Sequence, residues 1–173
     1  MSIPVFLSHP RPINNIQSDF IEKLSNKLSG SGFEPLTLGV NRYDMKAPLE
    51  GIITLMNNTY GLITVALKRA HIKKGMDSPQ TKHPKIISDK WLTSPYCQIE
   101  TAMGYQSGLP VLILKEKGVL EEGVLEKGVT GGYISEIDLS ESCDKYLNSN
   151  EFKGLLAQWK IAVMKQYGKD LNS

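Results

Sequence analysis

The chain has 173 residues, 40% of them hydrophobic and 22% charged, which suits one globular domain that needs neither a metal nor disulfides to complete its core. Its 20 Lys and Arg against 18 Asp and Glu leave a net charge of +2, too small to indicate a nucleic-acid partner by itself. Cys97 and Cys143 lie far apart with no C-x-x-C motif, and both are expected to be reduced. Residues 1–7 lack the basic start of a signal peptide, and no apolar run approaches the roughly 20 residues that span a bilayer. The expectation is a single domain over residues 1–173, soluble and cytoplasmic, with no membrane or nucleic-acid partner.

Hydrophobic periodicity alternates between short apolar runs and amphipathic stretches. Residues 3–7 read as a buried strand closed by the loop Ser8-His9-Pro10-Arg11-Pro12, and Ile16, Phe20, Leu24 and Leu28 mark a helix ending at Gly30-Ser31-Gly32. A weaker strand over 34–38 leads through a polar loop, 39–48, to a short helix over 49–58 with Leu49, Ile52, Ile53 and Met56 turned inward. Residues 62–67 form the clearest central strand. The polar, lysine-rich stretch 68–92 reads as a long loop. Ser94-Pro95 supplies an N-cap and a first-turn proline for a helix reaching toward Gly108, with Tyr96, Ile99 and Met103 as its buried stripe. A fourth strand over 110–114 precedes a surface excursion, 118–129, that contains the near-duplication GVLEE/GVLEK. A fifth strand over 133–139 and a closing helix over 151–167, with Phe152, Leu155, Trp159 and Val163 facing the core, complete the chain.

Strands alternating with helices predict an α/β fold: a flavodoxin-like, five-stranded parallel sheet with helices on both faces. Ligands in such a sheet bind beyond the carboxyl ends of the strands, near the point where strand order reverses. Glu100 draws notice there. It borders the inward stripe of its helix, and its helical neighbours Cys97 and Gly104 are both small, which leaves room beside a carboxylate able to act as acid, base or stabiliser of a cationic transition state. An ordinary solvated glutamate is the competing reading.

Two resemblances attach to these residues. Val5-Phe6-Leu7-Ser8-His9 and Ser94-Pro95-Tyr96-Cys97-x-x-Glu100 resemble the first-strand box and the Ser-x-Trp-Cys-x-x-Glu helix of Toll/interleukin-1 receptor (TIR) domains, with Tyr96 where Trp is usual. The resemblance covers residues 3–167. It implies a TIR-like fold and cleavage of the nicotinamide–ribose bond of NAD by Glu100, with NAD as substrate and no cofactor. It further implies substrate contacts from Ser8, His9, Arg11, Asn41 and Arg42, pocket walls from Tyr96 and Cys97, and self-association through the 41–44 loop. For the stand-alone bacterial type found in Thoeris anti-phage defence, the product is an ADP-ribose-derived signal read by a separate effector protein. The pattern Glu100-x-x-x-Gly104-Tyr105-x-x-Gly108-x-Pro110-Val111 is similar to nucleoside 2-deoxyribosyltransferases, in which the glutamate attacks C1′ of deoxyribose; this chain lacks that family's Asp-Ser-Gly-Thr segment. Both resemblances place a carboxylate beside an anomeric carbon. A TIR-like interaction module without activity is the third reading.

The remaining candidates are weaker. His9 beside Pro10 also reads as the plain end of a strand, and three scattered histidines make no metal site. The lysine run reads as a solvated loop, because no aromatic residue interleaves before Trp91, itself read as a plug over the sheet edge or a pocket wall. Ser8 has no G-x-S-x-G context, and no Gly-rich phosphate loop is present.

Overall fold

In the computed structural model, which describes residues 2–38 and 48–171, the apolar runs pair as one parallel sheet. In chain order, β1 (Ile3–Ser8), α1 (Asn15–Ser29), β2 (Phe33–Leu36), α2 (Pro48–Asn57) and β3 (Leu62–Ala66) are followed by a hairpin, β4 (Ala70–Asp77) and β5 (Lys85–Leu92). Then come α3 (Pro95–Gln106), β6 (Val111–Glu116), a 3-10 turn (Gly123–Leu125), β7 (Ile134–Ile137), α4 (Cys143–Leu147) and α5 (Asn150–Asp170). The sheet order is β2-β1-β3-β6-β7 with every neighbour parallel, the doubly wound arrangement the alternation predicts. Strand order reverses between β1 and β3, and the carboxyl ends of these strands are where a doubly wound sheet binds its ligands.

Side-chain alternation along the strands divides the interior. Val5, Leu7, Ile63, Val65 and Leu114 meet α1, α4 and α5 through Phe20, Leu24, Cys143, Leu147, Phe152, Leu156, Trp159 and Val163. On the opposite face Phe6, Leu36 and Leu62 meet Ile52, Leu55 and Met56 of α2, with Met103 of α3 packed against them. A third cluster, Ala66, Ile113, Val119 and Leu125, holds Trp91 and draws the 118–129 excursion into the core instead of leaving it on the surface.

Three further expectations need correction. The stretch 68–92 is an antiparallel hairpin and not a loop: Ile72, Met76, Ile86 and Ile87 give each strand enough apolar and β-prone character to pair, although the lysines hide the alternation. In α2 the inward stripe is Ile52, Leu55 and Met56, while Leu49 and Ile53 are exposed. That helix is apolar on two sides, so periodicity alone leaves its phase open. The third concerns α3, whose buried residues are Cys97, Glu100, Thr101 and Gly104, whereas Tyr96 and Ile99 face outward and Met103 is only partly buried. The small residues turn inward because the helix comes so close to β3 that larger ones do not fit.

α5 seals the amino-terminal end of the sheet. The Trp159 indole Nε1 donates to the carbonyl oxygens of Pro110 (3.0 Å) and Leu62 (3.2 Å), tying the starts of β3 and β6 to one ring. Gly61 passes beneath it, where an added Cβ would stand 2.5 Å from Val163 Cγ2 and 2.9 Å from Trp159 Cζ2. Gly61→Ala therefore overpacks this corner and should cost about 1–3 kcal/mol. Thermal denaturation should show a fall in Tm of roughly 2–10 °C.

Candidate functional site

α3 starts cleanly. Ser94 is its N-cap, accepting from the Tyr96 backbone N–H at 3.2 Å, and Pro95 occupies the first turn, where its missing N–H costs nothing. From this start the helix settles onto β3. Thr101 Oγ1 donates to the Cys97 carbonyl (2.5 Å) and meets Thr64 Oγ1 of β3 at 2.6 Å. Gly104 lies against Leu62, and a Cβ there would fall 2.6 Å from Leu62 Cδ2.

This docking buries Glu100, which is only 8% exposed. Ser8, the last residue of β1, is buried on the same face, and its Oγ donates a hydrogen bond to Glu100 Oε2. Strand and helix residues 92 positions apart thus meet at the carboxyl end of the sheet, beside the reversal of strand order. Burial pushes the Glu100 carboxyl up to about 7, against the opposing pull of the Ser8 hydrogen bond, which favours the anion. Near neutral pH the group can be either acid or base.

Cys97 stands one turn before Glu100 and is 1% exposed. Its thiol is pushed up to about 12, first by burial and then by the Glu100 charge, with the Ser8 and Thr93 hydroxyls acting the other way. It is a neutral wall of the site and not a nucleophile. Thr93, just ahead of the cap, was not singled out from the sequence. Its Oγ1 is buried and, apart from its weak pull on the Cys97 thiol, has no hydrogen-bond partner among the described residues. A buried hydroxyl without a partner is uncommon, and here it lies beside Cys97.

The other sequence candidates disperse. His9 continues past β1 with the opposite side-chain parity from Ser8 and lines a groove with Leu7, Pro12, Ser18, Ile21 and Thr37 on the α1 face. Its Nδ1 lies 2.9 Å from the Pro10 carbonyl, which can only accept, so Nδ1 carries the proton and Nε2 is the free nitrogen of the neutral ring. Burial lowers its pKa. Arg11 is exposed just beyond, and Tyr96, 48% exposed, sits one turn before Glu100 at the rim. Asn41 and Arg42 lie outside the described residues.

Charged residues at the end of β6 also escaped the sequence reading, although two charges closing an apolar strand are a visible signal. Glu116 is buried and accepts from Gln17 Nε2 (2.9 Å) and the Lys68 backbone N–H (2.8 Å). Lys115, buried toward the other face, reaches Glu121 and Glu136, both at 3.2 Å, and the Val119 carbonyl at 3.3 Å. Together they clamp the carboxyl ends of β3, β6 and β7 to their following loops. Among the described residues no helix is long and apolar enough to cross a membrane.

No protein-family model matches the chain, and no curated protein matches it either. Among solved structures it is similar to the TIR domains in the structure of the activated Roq1 resistosome directly recognizing the pathogen effector XopQ. The likeness has 15% sequence identity and a TM-score of 0.45, and covers 95% of this chain and 83% of that one.

The raised carboxyl has a stability consequence of definite sign. A group whose pKa is higher folded than unfolded stabilises the fold fully at pH values below its ordinary value, near 4.5, and that stabilisation disappears as pH rises through about 7. Gln in place of Glu100 keeps an acceptor for Ser8 and never ionises. Glu100→Gln should therefore be more stable than the parent by roughly 3 kcal/mol at pH 8, with a gap of less than about 1 kcal/mol near pH 5. Urea denaturation of both proteins across that range measures it, and a gap independent of pH would contradict the buried, proton-holding glutamate.

Proposed function

We propose that the protein cleaves the N-glycosidic bond of NAD, with Glu100 as the catalytic carboxylate. The observation that carries this reading is the buried Glu100 carboxyl, held by Ser8 at the carboxyl end of the sheet and walled by a small neutral thiol. As nicotinamide departs, the ribose C1′ gains oxocarbenium character, and a carboxylate in a poorly hydrated site stabilises it far better than one in water. Nicotinamide leaves a pyridinium as a neutral base, so no general acid is needed and one carboxylate suffices. The Ser8 hydrogen bond points the carboxylate and keeps part of its population ionised near pH 7. The unpartnered Thr93 hydroxyl offers a polar contact at the same place, and Arg11 and Tyr96 stand at the rim for the dinucleotide's phosphates and rings.

The motif resemblance of Ser94 to Glu100 extends the reading. On it, the product is an ADP-ribose-derived signal, cyclic or conjugated, made in anti-phage defence and read by a separate effector. On the same resemblance the active form self-associates through residues 41–44, and Asn41 and Arg42 contact the substrate.

Chromatography with mass detection of NAD incubated with concentrated protein tests the reading. Nicotinamide release should fall at least about 10²-fold in Glu100→Gln. Because the anion is the working form, kcat/KM should rise about tenfold per pH unit below pH 7 and level off above it. In Ser8→Ala that limb should move to higher pH, since the hydrogen bond that favours the anion is gone. Intact NAD in the parent, with base exchange between deoxynucleosides in its place, would overturn the substrate in favour of deoxyribosyl transfer; inertness to both would leave an interaction module.

A further inference from the structure

The hairpin of β4 and β5 is set apart from the rest of the molecule by its charge. Residues 68–92 carry seven Lys and Arg against two Asp, a balance of +5 inside a chain whose total is +2. Whole-chain charge hides this concentration. One of the two acids, Asp89, is already engaged by His71 Nε2 at 2.8 Å. Among the described residues Lys73, Lys74, Lys82, Lys85 and Lys90 form no ion pair, and all five are exposed.

The strand register distributes these cations over both faces. Ile72 faces Lys90, Lys74 faces Ser88 and Met76 faces Ile86, which puts Lys74 and Lys90 on one side. The pairs His71–Trp91, Gly75–Ile87 and Asp77–Lys85 belong to the other side, and alternation adds Lys73 to it. Eight-residue strands make the ribbon about 27 Å long. It is joined to the rest of the described residues at its base, where Trp91 exchanges backbone hydrogen bonds with Gly118 (3.0 Å) and Leu120 (2.8 Å) and its ring stacks on His71 with the Lys68 ammonium 5.8 Å from its centre.

We propose that this hairpin binds double-stranded DNA by entering the major groove. Cations on both faces of a ribbon match a groove with phosphates on both walls, and a B-form major groove, about 12 Å wide, admits a two-stranded β-ribbon. An anionic membrane is a single plane, which calls for cations on one face and an apolar leading end. Here the leading end, residues 78–84, is polar with two prolines, and the exposed apolar pair Met76 (53%) and Ile86 (71%) lies behind it. Single strands are bound by stacking bases on free aromatic rings, and the one aromatic residue of the hairpin, Trp91, is covered by His71. The major groove of duplex RNA is too narrow for the ribbon. β5 leads directly through Thr93 to the Ser94 cap of the Glu100 helix, so a duplex bound to the hairpin is coupled to the candidate site through a single short connection.

Fluorescence anisotropy of a labelled 20-base-pair DNA duplex tests the proposal without reference to any catalytic activity. The whole protein should bind with a Kd of roughly 1–100 μM at physiological salt, and log K should fall against log salt with a slope of about −3 to −4, as four phosphate contacts give. K73Q/K74Q/K85Q/K90Q should lose at least tenfold in affinity and most of that slope, with an unchanged circular dichroism spectrum. M76S/I86S should bind DNA as the parent does. Absence of duplex binding, equal binding by the fourfold lysine variant, or preference for duplex RNA, single strands or phosphatidylserine vesicles would each overturn the proposal.

Discussion

The closeness of α3 to β3 governs the rest of the structure. A helix is normally held off the sheet beneath it by the larger side chains that stand between them. Here Gly104 removes one such spacer over Leu62, and Thr101 replaces another with a hydrogen bond to Thr64. The inward face is therefore small and partly polar, and that face carries Glu100 below solvent to meet Ser8. A glutamate one position earlier, where Ile99 stands 39% exposed, would be a surface charge. Its raised pKa, the neutral thiol beside it and the unpartnered Thr93 hydroxyl all follow from this one approach.

The second constraint is the way the carboxyl ends of the strands are held. Each could fray into its loop, and the chain counters this with buried charges: Glu116 between α1 and the segment after β3, and Lys115 between the excursion and β7. Glu116 and Lys115 are themselves buried, so removing the groups that satisfy them would leave a charge stranded inside the protein.

Much of this was legible in the sequence. The five sheet strands, their parallel order and the cap at Ser94-Pro95 follow from apolar runs, spacing and capping chemistry, and Glu100 stood out because its neighbours were small. The phase of α3 was not legible, because ordinary hydrophobic scoring points Tyr96, Ile99 and Met103 inward and has no weight for a glycine that packs tightly. The hairpin was hidden for a related reason: its strands are charged on both faces, so the period of two that reveals a half-buried strand is missing. His9 shows the limit of adjacency, since one residue past Ser8 along a strand is the other side of the sheet.

The two tryptophans occupy opposite ends of this architecture. Trp159 is buried against Phe33 and the strand starts, where its environment changes only when the whole domain opens. Trp91 sits at the root of the hairpin with the His71 ring stacked 4.5 Å away, so its surroundings change when that joint moves. The molecule thus carries its own pair of optical reporters, one for global unfolding and one for the hairpin joint, and deleting either ring separates the two signals without adding a foreign dye.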